Sequence, residues 1–453
     1  MPGPPNAAPV RFADVMHGAR GRFLIALLIA EFAAAMQGIA HSTVLPVVAR
    51  DLDGFALFGA ALAAGPLAAL LMLSFAAPVL HRVRPLNMLL IATALYVLGA
   101  SMAVFATTMA WVLAGIVVRG LAAGLFGGFG LGAIGTLFDE RERPRVFGLF
   151  AMIWLLPSVL GPPLNAVVTE WMDWRWALAW PAILVLMARL LMGATIAAVP
   201  WRPDRGRPPV SAGVGVAVTG CLALGSVGSA GAGGWALAAY LAGVVGAAVA
   251  IGAFLVRGMR GSRAGARVLL TFALLCAAFF GSYELLSLTI IEALGSTVLV
   301  ASVAVTGGLL GWSIVGLRPH SDARPDRVVV GAALVCASFG LLIGGLGLGG
   351  PQGIGCVIGG STVCGIGMGF AYPLLSSEPF EHGAAASTVG TLIAFAEIAA
   401  TAWGSLLAGG GYSALHARGW SPTDSLVVVF IALASLGCAT VVSARRRHVG
   451  NRP

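Results

Sequence analysis

The chain has 453 residues, 58% hydrophobic and 10% charged, with a mean hydropathy of +0.94. Soluble domains carry roughly 25% charge, so the composition excludes a water-soluble globular protein and points to an all-α integral membrane protein. All of its basic side chains are arginines, and the net charge of +9 fits membrane orientation and contact with anionic lipids rather than nucleic acid.

A bilayer core about 30 Å thick takes about 20 apolar residues per helix. Fourteen such segments follow in chain order, at 22–46, 55–79, 86–106, 110–137, 146–168, 177–199, 211–230, 235–256, 268–293, 297–316, 328–348, 353–375, 387–410 and 424–443. With the N-terminus taken as cytoplasmic, twenty-two of the twenty-seven arginines fall in inner segments. The opposite loops hold only Arg50, Arg175 and Arg418, and Arg119 and Arg189 lie within helices. Basic residues concentrate in cytoplasmic loops, so both termini are expected in the cytoplasm, in the cell inner (plasma) membrane. The first apolar run is long enough to span and remain, so no cleaved signal peptide is expected.

Residues 208–256 contain no charge over 49 positions and lie between two arginine clusters, which demands an even number of crossings. One helix of that length would be roughly 74 Å long, so two spans joined near Ser229 to Trp235 are expected. An interfacial or re-entrant insert in a twelve-helix protein is the alternative. The plan is a tail over 1–21, a six-helix bundle over 22–200, a linker with two inserted helices over 201–267, a second six-helix bundle over 268–443 and a tail over 444–453.

No HExxH, Walker A or paired-cysteine motif occurs, so neither an enzyme nor a metal or cofactor site is expected. The six cysteines lie in predicted spans without metal-ligand spacing and read as packing residues. Without a nucleotide-binding domain, a pump must use an ion gradient.

The stretch RGLAAG from Arg119, then DERERPRVFGLFAMIW and SVLGPPLNAVVTEWMDWRWAL, resembles the major facilitator superfamily, specifically its fourteen-helix drug:proton antiporter branch. The matches are Arg119 with Gly120 and Gly124, Gly161 with Pro162, and Trp174, Arg175 and Trp176. The segments STVLPVVARDL (Ser42 to Leu52) and GIGMGFAYPLLS (Gly365 to Ser376) are similar as well. The chain departs from the family pattern at Gln37, where an Asp is usual, at His81 in the loop APVLHRVRP, and at Asn165 and Ala166 in place of two glycines. The resemblance implies proton-coupled efflux of hydrophobic or amphiphilic small molecules by a monomer whose central cavity is lined by helices one, four, nine and twelve.

A charge at helix centre costs at least about 2.5 kcal/mol and needs a partner or a wet cavity. Glu31, Glu284, Glu292 and Glu397 lie within predicted spans. Counted from the inner face, Glu31 is about 13 Å deep and Arg119 about 17 Å, so a pair between them is expected. The alternative for Arg119 is a tie to backbone carbonyls. Glu284, about 24 Å deep, is expected to bind substrate or proton in the outer cavity, and Glu397, about 13 Å deep, is a further candidate proton carrier. Glu292 is expected to reach water and Arg189 to be structural. Gln37 and His41, one turn apart, together with Tyr283 and Tyr372, are expected to line the substrate cavity. Gly161, Pro162 and Pro163 should bend helix five, and with Gly124 they suit packing that rearranges during alternating access. Trp171, Trp174, Trp176 and Trp180 are expected to form an interfacial belt.

The expected partners are therefore a small-molecule substrate, protons and membrane lipids. A lipid or lipid-like transporter of the same fold is the alternative function, and a non-transporting scaffold or sensor a second.

Overall fold

A computed structural model describes residues 16–138, 142–196, 212–259, 261–316, 326–382 and 386–450. The described residues form helices α1 (Gly18–Asp51), α2 (Phe55–Arg82), α3 (Pro85–Val104), α4 (Met109–Leu137), α5 (Arg143–Trp171), α6 (Trp174–Ala179), α7 (Pro181–Ile196), α8 (Ala212–Ser229) and α9 (Gly234–Gly258). The remainder are α10 (Arg263–Leu288), α11 (Val298–Gly316), α12 (Asp326–Leu348), α13 (Gly350–Ser377), α14 (Ala386–Ser405), α15 (Gly411–His416) and α16 (Pro422–Gly450). Two single π turns, Thr289–Ala293 and Leu406–Gly410, continue α10 and α14.

Local chemistry fixes several ends. Pro85 opens α3 within its first turn, where a missing N–H leaves no bond unmade. Ser262 Oγ accepts from the Gly265 amide at 3.0 Å and caps α10. Asp173 caps α6 in the same way, accepting from the Arg175 amide at 2.8 Å.

In a membrane, helices associate through close packing rather than by burying apolar surface from water, and glycine permits the closest approach. A Cβ on Gly120 would lie 2.5 Å from the Gly65 carbonyl oxygen, and one on Gly124 2.5 Å from that of Ala69, so α2 and α4 touch backbone to backbone. Gly367 meets the Gly331 carbonyl between α12 and α13, and Gly365 meets that of Gly308 between α11 and α13. Helices α1–α7 pack among themselves, as do α10–α16, and the two sets meet along α5 with α11, α2 with α14, and α1 with α10.

Twelve helices among the described residues are long and apolar enough to cross a bilayer, so the protein is a multi-pass membrane protein. That number is below the fourteen expected. Helix α8 has an apolar stretch, Gly213–Ser229, that is shorter than a full span. Helix α5 runs unbroken over 29 residues, but several of its side chains lie outside the description. The charge-free middle forms a hairpin of α8 and α9 in which Gly225 and Gly243 meet backbone to backbone. One arm lies on α2 and the other on α10 and α14. Trp403 Nε1 donates to the Val244 carbonyl at 2.9 Å and Tyr240 Oη to that of Leu407 at 3.1 Å, which ties α9 to the second set.

The four tryptophans of the expected belt differ in their surroundings. Trp171 and Trp176 are 82% and 51% exposed. Trp174 is buried and donates Nε1 to Asp51 at 2.9 Å, while Trp180 Nε1 donates to Asn165 Oδ1 at 3.1 Å. An indole N–H inside a low-dielectric bundle needs an acceptor, and the Asn165 that departs from the family pattern supplies one.

Candidate functional site

Glu31, Ala34, Gly38 and His41 fall on one face of α1, and this face is open: Ala34 and Gly38 are exposed, and Glu31 and His41 half-buried. Because α1 is flanked by α2, α5, α7, α10 and α11, the open strip lines the space between the two sets of helices. Behind it lies Arg119, 3% exposed. Its guanidinium donates Nη1 to the Leu178 carbonyl at 2.7 Å and Nη2 to His41 Nε2 at 3.0 Å. Gln37 Nε2 approaches the same imidazole nitrogen at 3.3 Å, and Tyr96 Oη donates to Gln37 Oε1 at 3.1 Å.

The expected pair of Arg119 with Glu31 does not form. The expected depths assume spans of about 30 Å, but α1 runs 34 residues, about 51 Å, and α4 29 residues, about 44 Å, so depth is better measured from the arginine-poor end. Arg119 lies ten residues in from Met109 and His41 ten in from Asp51, each about 15 Å, which makes them level. Glu31 is ten residues beyond His41, about 15 Å away along the axis, too far for a hydrogen bond. The Leu178 carbonyl closes the last turn of α6, so the backbone-tie alternative describes part of what Arg119 does.

The facing wall belongs to α10, α11, α13 and α14. Tyr372 Oη donates to Glu397 Oε1 at 2.9 Å. The Tyr372 ring stands 5.2 Å from Phe272 and 5.3 Å from Trp312, and Trp312 lies 5.4 Å from Phe279 and 6.0 Å from Phe280. Tyr372, Trp312, Phe280 and Glu397 are half-buried, so they line open space. Glu31 of α1 lies close enough to Glu397 for their charges to act on one another. Nearer the arginine-poor end, Tyr283 sits beside Ser42 of α1, and the adjacent Glu284 keeps Oε2 buried with no hydrogen-bond partner among the described residues.

The arginine-poor end is sealed. Arg50 at the end of α1 pairs with Glu292 in the π turn after α10, with Nε to Oε1 at 2.9 Å. The Gly59 amide donates to Ser413 Oγ at 3.0 Å, and that hydroxyl donates to the Phe55 carbonyl at 3.0 Å. A Cβ on Gly59 would lie 2.3 Å from the Gly409 carbonyl oxygen, so α2 and the π turn after α14 meet backbone to backbone. All three arginines of this end are engaged. Arg175 lies over Trp174 at 4.1 Å and donates to the Ala106 carbonyl at 3.0 Å, and Arg418 reaches the carbonyls of Ala414 and Gly233.

The Major Facilitator Superfamily model matches residues 27–409. The chain belongs to that superfamily. A probable multidrug-efflux transporter of Mycobacterium tuberculosis is 24% identical over 81% of this chain and 82% of its own length. The Staphylococcus aureus multidrug efflux pump SdrM is 22% identical over 34% of each chain. An MFS-type transporter of Aspergillus terreus is 27% identical over 19% of this chain, a match that spans only 16% of its own length. Among solved structures, the POT family transporter PepTSo superposes with a TM-score of 0.68 at 12% identity, over 94% of this chain and 98% of that one. It shows the fold alone.

Within this facilitator the glycine and proline positions do different jobs. Gly124 joins α4 to α2 inside one set of helices. Gly161 packs on Ile39 and Met36 of α1, and α5 continues through Pro162 and Pro163 as one helix. Pro163 also borders an open apolar cleft of about 290 Å³ between α5 and α11, lined by Ser302, Val303, Thr306, Gly307 and Leu310 and by Ile358 of α13. Sequence reasoning missed the aromatic run around Trp312, the Tyr96 and Leu178 partners, and the Gly59 to Gly409 seal. Only the small side chains at 59 and 409 hinted at the last, because facing glycines look like any others in a chain with 63 of them.

Proposed function

We propose that this facilitator is a secondary active transporter that exports hydrophobic or amphiphilic small molecules in exchange for protons, by alternating access. The observation that carries the reading is Glu397, half-buried at the end of an aromatic wall, held by Tyr372 and within electrostatic reach of Glu31 on the opposite set of helices. A carboxylate held in a low dielectric is costly when charged, and a proton relieves the cost. Aromatic faces suit lipophilic and cationic groups of many shapes. The multidrug-efflux names of the relatives in Mycobacterium tuberculosis and Staphylococcus aureus support the same reading.

Counting α5 and α8 with the other twelve gives fourteen crossings and a plan of two six-helix bundles with an inserted hairpin. Both termini lie on the arginine-rich, cytoplasmic side of the plasma membrane, and the transporter acts as a monomer. The sealed arginine-poor end makes the conformation closed to the outside. In inside-out vesicles, ethidium added to the wild type should dissipate a preformed pH gradient, and Glu397→Gln and Glu31→Gln should each abolish the response. Unchanged dissipation in both variants removes them as proton carriers.

The apolar cleft between α5 and α11 favours one second reading, a carrier of lipid-like molecules that enter from the bilayer. Extraction of a fluorescent phospholipid from vesicles by the wild type, blocked by Gly307→Trp, would select it.

A further inference from the structure

We propose that the space between α1 and α10 is a dipolar binding site, in which His41 backed by Arg119 receives the acidic end of a substrate and Glu284 receives its basic end. The substrate class is then a zwitterionic amphiphile. The proposal rests on reading the chain as an exporter of amphiphiles and names the class within it.

Arg119 is a buried charge without a counter-charge. Its partners are a neutral carbonyl and an imidazole, its Nε has none, and no carboxylate lies within 4.0 Å of it among the described residues. Such a charge is expensive unless something anionic approaches. The hydrogen bonds show where an anion would approach. A guanidinium can only donate, so His41 Nε2 must accept, and the imidazole carries its hydrogen on Nδ1. The Gln37 amide, its oxygen taken by Tyr96, presents its NH₂ to the same Nε2 and reinforces that tautomer. The Nδ1–H has no partner among the described residues, and His41 is half-buried on the open strip of α1. It is a donor polarised from behind by Arg119, suited to a carboxylate.

The opposite wall carries the complementary defect. Glu284 Oε2 is buried and unpartnered, and no cation pairs with this carboxylate among the described residues. One turn along α10 lies Phe280, which packs edge-on to Trp312 at 6.0 Å, so a cationic group at Glu284 would also meet aromatic surface. The two poles are level. His41 is ten residues in from the end of α1 and Glu284 nine in from Ala293, both about 14 to 15 Å. Their chain neighbours Ser42 and Tyr283 lie side by side. A zwitterion satisfies both poles, whereas a ligand of one sign leaves the other unpaired.

Three probes with the same octyl chain test the site on the purified full chain in detergent, by intrinsic tryptophan fluorescence: octyl-dimethylglycine betaine, octyltrimethylammonium and octanoate. The betaine should bind at least about tenfold more tightly than either singly charged probe, as expected for an added charge-assisted contact. Arg119→Gln should bring the betaine down to the affinity of the ammonium while leaving the ammonium unchanged. Glu284→Gln should bring it down to that of octanoate while leaving octanoate unchanged. The retained single-charge binding shows that each variant is folded. Should Arg119→Gln bind nothing, His41→Leu removes the donor without deleting Arg119 and should lose the betaine preference. A betaine bound no better than the ammonium by the wild type, or a preference that survives these substitutions, overturns the proposal. Intact betaine preference in a protein that moves no protons would overturn the transport reading and leave the site standing.

Discussion

Arg119 answers to two demands at once, and its substitutions should separate them. Its bond to the Leu178 carbonyl is a charge-assisted tie across the bundle, and leaving a buried acceptor unpaired costs about 1 to 3 kcal/mol. Arg119→Gln should therefore lower the unfolding midpoint in micelles while the protein remains folded, and Arg119→Lys, with one charged donor group in place of the planar fork, should fall between. Equal midpoints for all three proteins would show that the tie contributes nothing. The sequence identified Arg119 but not its partner, because a helix pair is legible only in spacing, and depth counted from uncertain helix ends misplaced it by three turns. With α1 running on to Asp51 rather than ending at 46, His41 and Arg119 come level.

At the scale of helices, the seal between α2 and the π turn after α14 depends on having no side chain at Gly59. Gly59→Leu should hold the arginine-poor end apart, so that Ser413→Cys in that background becomes open to a membrane-impermeant maleimide and transport falls. Labelling as slow as in a Gly59 control would contradict the close approach. The Arg50 to Glu292 pair beside it has a half-exposed arginine and is worth no more than about 1 kcal/mol. A gate that opens every cycle suits that weakness, and Arg50→Gln should speed labelling of the same cysteine without unfolding the protein. Packing of α12 on α16 has its own reporter. Cys336 and Cys438 place their sulfurs 3.2 Å apart, so copper-phenanthroline should remove two alkylatable thiols from the wild type and none from Cys438→Ser. Full alkylation after oxidation would show the helices in another register. These contacts were not legible in the sequence: composition encodes that a glycine can approach a backbone, not which backbone it approaches.

For the whole molecule, the sequence was most informative where physics is least local. The apolar run lengths point to a multi-pass membrane protein and the arginine distribution to the proposed orientation, since both respond to the membrane rather than to neighbours. The hairpin in the charge-free middle turns near the expected position, whereas its crossing of the membrane depends on α8, whose apolar stretch is shorter than a full span. Ala232→Cys in the turn between α8 and α9 should react with an impermeant maleimide from the side opposite the termini. Reaction from the same side would make the hairpin an insert in a twelve-helix facilitator. The most direct measurement of the central claim is made with the purified protein in liposomes loaded with a pH-sensitive dye and held under a pH gradient. Addition of an amphiphilic substrate should drive proton movement opposite to substrate movement, and Glu397→Gln should retain substrate binding but lose the proton signal. Substrate movement with no accompanying proton flux in the wild type would contradict the account.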